Sequence, residues 1–250
     1  MATWIASTPG ACNSGRSLGC DDLDRFGWES VAQIMQRDGA LGFRLLPQER
    51  AEELSRWMSS RSYRIDFCDP FIGEREAVLG AAEKILSHPL PSGLRWGPAP
   101  NGENKRYVRA IQVLMAANGV APYSGSMLSG QQEPARTVVV LDPSDAIVAV
   151  AFGHKPHNSH SAYRDFGYGS AVVVAPAYRG CGLGRYVNAE IAVTVLHELG
   201  GTHFYGLVSI GNLRSRRMVE ACALRQSPNL IAAEAVAINR QHTRYKSFNI

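Results

Sequence analysis

The chain's 250 residues and 27.2 kDa suit one large domain or two small ones, and its 45% hydrophobic and 19% charged residues exclude the disordered, collagen-like and coiled-coil classes. No apolar run reaches the roughly 18 to 20 residues of a bilayer-spanning helix, which excludes a transmembrane helix. The net charge of +4 divides into 13 acidic against 11 basic residues over 1–100 and 9 against 15 over 101–250, a positive C-terminal half without the concentrated basic run of a nucleic-acid binder.

Residues 1–25, rich in Ser, Gly and Asp, read as a flexible tail. A helix near Glu29–Arg37, a short strand at Gly42–Leu46 and a helix over Pro47–Ser60 follow, the proline falling in the first turn where its missing N–H is harmless. Tyr63–Cys68 alternates like a strand, and Glu74–Leu86 places Val78, Ala82, Ile85 and Leu86 on one helical face. Residues 26–90 thus form a small α/β region. The stretch His88–Pro100 holds four prolines and two glycines, so 91–104 reads as a linker, with Leu94–Trp96 open as a first strand of the next region.

Residues 105–250 form that region. Helices over Lys105–Ala117 and Pro122–Leu128 precede a hairpin of Thr137–Leu141 and Ile147–Phe152, whose Asp142–Asp145 link is turn chemistry. After a polar, solvated loop at His154–Asp165 come a strand at Ser170–Ala175 and a helix reaching about Leu199, with Leu183, Val187, Ile191, Val195 and Leu199 four residues apart. A strand at Phe204–Ser209, a helix at Asn212–Ala223 and a strand at Leu230–Ile238 complete the chain.

Five cysteines without a C-x-x-C pair argue against a disulfide framework and a cysteine zinc site, and favour a reduced, cytoplasmic setting. The start has neither the basic nor the apolar segment of a secretory signal. Of the 26 basic residues only four are lysines, and arginine is the side chain suited to bidentate phosphate contacts.

The segment with most chemistry is Arg179-Gly-Cys-Gly-Leu-Gly184, set between an apolar strand and an amphipathic helix. Amides at a helix start lack intrahelical partners and sit at the positive end of the macrodipole, which makes the turn a phosphate cradle. A Rossmann turn does not fit, because its third glycine would fall on Arg185, and no Walker Gly-Lys-Ser/Thr follows.

Val174-Ala-Pro176, Arg179–Gly184 and Asn212-x-x-Ser215, in this order over roughly residues 94–245, resemble the GNAT superfamily of N-acetyltransferases. The resemblance implies a mixed, mostly antiparallel sheet flanked by helices and splayed between its fourth and fifth strands, Ser170–Ala175 and Phe204–Ser209. Residues 26–90 would be either a degenerate partner half or a family-specific N-terminal β/α extension. Acetyl-CoA is the implied co-substrate, its pyrophosphate on Arg179, Gly180, Cys181, Gly182, Leu183 and Gly184. Its pantetheine arm would lie along Val172, Val173 and Val174, with Asn212, Ser215 and Arg217 on the cofactor's other side. The implied reaction is direct transfer of acetyl to an amine, on a small molecule or a protein, in a ternary complex; a homodimer stays open as an assembly.

The chain departs from the pattern at Val219, where many members carry a tyrosine that protonates the leaving sulfur. Tyr178, Tyr186 and Tyr205 are the candidate replacement acids, with buried packing the alternative and favoured role for each. The nearest polar residues for a base are Asp165 and Tyr168, joined by His157 from a loop that also holds His154 and His160. Histidines alone on an irregular loop do not make a metal site, so none is expected. Loss of the usual acid favours an alternative, a catalytically weak CoA-binding sensor or interaction protein that keeps the cofactor cradle.

Overall fold

The computed structural model describes residues 2–131 and 133–238, so Gln132 and residues 239–250 of the expected C-terminal region lie outside the described residues. The strands are β1 (Ala11–Asn13), β2 (Leu18–Cys20), β3 (Ala40–Pro47), β4 (Tyr63–Glu74), β5 (Arg95–Trp96), β6 (Ala135–Leu141), β7 (Ile147–His154), β8 (Phe166–Val174), β9 (His203–Ser209), β10 (Arg225–Gln226) and β11 (Leu230–Ala237). The helices are α1 (Ala2–Ser7), α2 (Leu23–Phe26), α3 (Trp28–Asp38), α4 (Arg50–Ser59), α5 (Arg75–Leu86), α6 (Lys105–Ala117), α7 (Gly125–Leu128), α8 (Leu183–Thr194) and α9 (Leu213–Ala221). No described helix is long and apolar enough to cross a membrane.

All eleven strands join one sheet in the order β1-β2-β3-β11-β4-β9-β8-β7-β6-β5, with β10 beside β4. Only β2–β3 and β8–β9 run parallel. Each parallel pair encloses a helical crossover, α2–α3 in the first and α8 in the second, as parallel pairing requires. Counted outward from the β11–β4 pair, both directions read antiparallel, parallel, antiparallel. The N-terminal region therefore repeats part of the C-terminal topology in the same sheet. The last strand crosses over to lie between β3 and β4.

Alternation along β6 and β7 separates two cores. Val139, Val150 and Phe152 face Ile111, Met115 and Tyr123 of the α6–α7 layer, whereas Val140, Ala149 and Ala151 face Leu183, Val187 and Ile191 of α8. Helix α5, from the N-terminal region, packs in the second core through Val78 and Ala82. A third core joins α3 and α4 to β3 and β11. The strand left open at Leu94–Trp96 is β5, which pairs with β6.

Two expectations are corrected. Residues 2–25 are no flexible tail, since they form α1, β1 and β2 and bury Ala11, Cys12 and Cys20. The His154–Asp165 loop is not solvated along its length, because its first half lies beneath that segment. Asn158 Nδ2 donates to the carbonyls of Ile5, Thr8 and Ala11 at 2.7, 2.9 and 2.9 Å, and Cys12 pairs with His157 in an isolated bridge. Three-residue strands have too short a period to read, and partners some 150 positions away leave no local signal.

Asn158→Ala should remove the donor these three carbonyls share, leaving those of Ile5 and Thr8 only the backbone amides of Thr8 and Ala11 at 3.3 and 3.1 Å, and lower unfolding stability by about 1–3 kcal/mol. Urea denaturation is the check; a change under about 0.5 kcal/mol, the usual range for a surface substitution, would show that the contact does not hold the N-terminal segment.

Candidate active site

The sheet opens in the C-terminal region. β8 and β9 pair at Phe166–His203, Gly167–Phe204, Tyr168–Tyr205 and Gly169–Gly206, and there the pairing ends. Gly169 belongs to the closing rung because a Cβ there would stand 2.4 Å from Phe204 Cζ. Past it, β8 bulges away from its register with β7, where Val150 faces Val173 but Phe152 faces Ser170. Ala171 takes the extra position at φ 50°, a left-handed conformation that a non-glycine residue holds only under constraint. The edge of β8 from Ser170 to Val174 has no strand partner on its β9 side.

The opening leads into a cavity of about 890 Å³ lined by Val172, Val173, Val174, Arg179, Gly180, Gly182, Leu183, Gly184, Asn212, Ser215 and Arg217, together with Asn118, Val120, Tyr178, Arg185, Arg214 and Met218. Gly182 caps α8 at φ 83° with no side-chain cap, and among the described residues no acceptor stands against the amides of Leu183 and Gly184 at the cavity wall, while the Arg185 amide turns back to the Gly182 carbonyl at 2.9 Å. Arg179 is fixed at the rim, its Nε donating to the Val174 carbonyl at 3.0 Å and a terminal nitrogen to Asn118 Oδ1 at 2.7 Å. Across the cavity, Asn212 caps α9 by accepting the Ser215 amide at 3.0 Å. Arg214, Arg217 and Met218, three and four residues apart, share the α9 face that lines the cavity. Arg216 lies off that face, paired with Glu220 at 2.9 Å.

Cys181 belongs to this turn by its backbone. Its thiol turns outward to the Tyr178 carbonyl at 3.0 Å and does not line the cavity, so in the cradle only its small size matters.

The proposed catalytic residues separate into two groups. Asp165 precedes β8 at the end opposite the opening, where it is half exposed and lies 3.8 Å from Lys155 and 3.4 Å from Arg164, a surface ion pair rather than a base. Tyr168 and Tyr205 stand together on the last rung but one, rings 4.8 Å apart, and burial pushes both phenols well above their ordinary range. His157 reaches Tyr205 from the loop, its Nε2 lying 3.1 Å from the phenol oxygen and its Nδ1 2.6 Å from Asp21 Oδ2. Asp21 gives no sign in the sequence, where it is one acidic residue in a polar stretch. Tyr178 donates to Asp142 at 2.9 Å, and Tyr186 packs against the α8 core. Val219 is buried in that core.

The three loop histidines diverge: His154 and His157 are buried and His160 is exposed. Among the described residues, the thiol of Cys12, the carboxylate of Asp21 and the imidazole of His157 approach within 4.8 Å. Both imidazole nitrogens are engaged, by Asp21 and by Tyr205, so these three residues form a hydrogen-bonded chain.

No family model matches the sequence, and no curated protein matches it either. Solved structures do. A Drosophila protein superposes with a TM-score of 0.60 at 12% identity, over 89% of this chain and 70% of its own. A GCN5-related N-acetyltransferase-like protein from Streptococcus suis gives 0.58 at 12%, over 91% and 84%. A GCN5-related N-acetyltransferase from Kribbella flavida gives 0.56 at 14%, over 91% and 80%. The chain has the GNAT fold. Coverage of 91% exceeds what residues 105–250 alone can supply, so the N-terminal region is part of the shared architecture.

Burial also fixes an acid sensitivity. His154, with Nε2 3.1 Å from the Asn13 carbonyl and Nδ1 unpartnered, is held neutral by desolvation and its pKa falls to about 4. The unfolded chain, near 6.5, binds the proton first, so stability is complete above pH 6.5 and is lost as pH falls toward 4, by about 3 kcal/mol from this group. His157, also lowered by burial, acts in the same direction. Urea midpoints measured from pH 7.5 to 4.5 should fall accordingly, and His154→Gln should flatten the fall; an unchanged slope would contradict the assignment.

Proposed function

We propose that the chain is an N-acyltransferase that moves an acetyl group from acetyl-CoA to an amine by direct attack in a ternary complex. The observation that carries this reading is one cavity joining the unpaired edge of β8 to the uncapped start of α8. The donor set fits the cofactor. Free helix-start amides and the Arg179, Arg214 and Arg217 guanidiniums suit a pyrophosphate and a further phosphate, and an unpaired strand edge suits the amides of a pantetheine arm. Bound acetyl-CoA supplies a thioester, the activated acyl group that an amine can attack.

The chain's own residues bind and orient. Gly180 and Gly182, at φ 87° and 83°, hold the turn in a conformation that leaves the cradle amides uncovered. Val172 and Val174 offer backbone to the arm, while Asn212 and Ser215 close the opposite wall. As the N–C bond forms and the C–S bond breaks, the thiol's ordinary pKa near 8.5 lets the thiolate leave with little assistance. The amine, with a pKa near 10.4 if it is lysine-like, must first lose a proton. An apolar Val219 in place of the usual acid is therefore tolerable. We further read residues 26–90 as a degenerate partner half, supported by the mirrored strand order, and the setting as cytoplasmic.

The alternative, a CoA-binding sensor without turnover, draws on Val219. Acetyl-CoA at 100 times its Kd should stabilise the fold by about 2.7 kcal/mol, seen as a raised melting temperature. Gly182→Asp, which brings a carboxylate and a strained φ into the cradle, should abolish the shift. Thiol release with an amine library then separates enzyme from sensor, and no melting shift at millimolar acetyl-CoA would defeat both.

A further inference from the structure

The mechanism so far leaves a buried chain of titratable groups unused at the foot of the opening. We infer that Tyr205, His157 and Asp21 form the proton-accepting chain of the transfer, Tyr205 taking the proton from the attacking amine, with His157 and Asp21 positioned behind it. This rests on the transferase reading above. Tyr205 sits opposite Tyr168, one rung before β8 and β9 part. Its neighbours Phe204 and Val208 point into the α8 core, so its ring lies on the opposite face, away from the helix that opens the cradle. Tyr205 is fully buried and outside the cavity lining, so the amine proton reaches its oxygen through a water at the open edge of β8 and not by direct contact.

The polarity of the chain follows from its partners. A carboxylate only accepts, so His157 carries its proton on Nδ1 and gives it to Asp21 at 2.6 Å. Nε2 is then the acceptor, and Tyr205 donates to it at 3.1 Å. The side chains of His157 and Asp21 are 0% and 1% exposed. The groups facing the imidazole are Asp21 and Cys12 from the β1–β2 hairpin region, Arg44 from β3, His154 from β7, Tyr163 from its own loop and Tyr205 from β9. Burial and the Arg44 charge keep it neutral at rest. Asp21 Oδ1 has no hydrogen-bond partner, so the carboxylate charge is not drawn off elsewhere and can support an imidazolium when one forms.

The step balances. The amine, bound as the free base, passes one proton through a water to the Tyr205 oxygen as the phenol proton passes to His157 Nε2. The amine nitrogen bonds to the acetyl carbon, and the C–S electron pair leaves as thiolate. His157 then returns its proton along the same path to the thiolate or to solvent.

The test is thiol release from acetyl-CoA with a panel of lysine, spermidine and glucosamine, followed by kcat against pH for the best amine. Ionisation of the bound amine is common to every variant; below it, the limb of wild-type kcat that belongs to His157 should lie under pH 6.5, the ordinary imidazole value. Asp21→Asn should lower kcat at least 100-fold and move that limb to lower pH, since the imidazolium loses its counter-charge, while the melting shift with acetyl-CoA stays intact. Tyr205→Phe, which keeps the ring, should match the loss and decides the matter if Asp21→Asn does not fold. Variants within threefold of wild type with an unmoved limb would overturn the chain and leave the transferase standing. Absence of an acetyl-CoA melting shift would overturn the transferase itself, and binding without turnover of any amine would overturn the chain and leave a CoA-binding protein.

Discussion

Four rungs of parallel pairing between β8 and β9, ended at Gly169 and Gly206, set up everything else in the molecule. A sheet that stops pairing partway exposes backbone donors and acceptors that must find partners elsewhere. Here the bulge at Ala171 turns β8 away from β9, and the cavity beside it ends at helix amides that also lack acceptors. Strand edge and helix start are unsatisfied along one continuous surface. A ligand with amides at one end and phosphates at the other satisfies both, which is why cofactor and fold are read together.

The N-terminal region explains how the opening is held apart. β4 flanks β9 on the side away from β8 and α5 packs against α8, so the β9 edge of the splay and the helix beside it are held by N-terminal chain, while β7 holds β8. The mirrored topology makes the difference between the halves chemical. Where the second half follows β8 with glycines and an arginine, the first follows β2 with Asp21 and Asp22. Asp22 caps α2, accepting the Arg25 amide at 3.1 Å, and acidic residues at that helix start repel a pyrophosphate. Asp21 is turned instead toward His157. The glycine turn lies in one half, and the carboxylate that meets His157 comes from the other.

Legibility in the sequence followed the range of the interactions. α6, with Val108, Ile111 and Met115 at helical spacing, could be read with its bounds, and so could the cradle, whose glycines answer to a local φ requirement. The start of β8 could not, because Gly167 and Gly169 look like loop residues until Val195 and Phe204 are seen to leave no room for a Cβ. Asp165 resembled a base because it stands beside the strand that carries the site, but strand direction puts it at the closed end. Asp21 and the segment over Asn158 depend on partners far along the chain, and nothing in their neighbourhoods announces them.

Amide hydrogen exchange with and without saturating acetyl-CoA tests the central claim most directly, since it reports which backbone groups acquire partners. The account predicts new protection concentrated in Val172–Val174 and in 180–185, with β1–β3 unchanged. Protection confined to the N-terminal half, or none along β8 and the α8 start while acetyl-CoA binds, would contradict it.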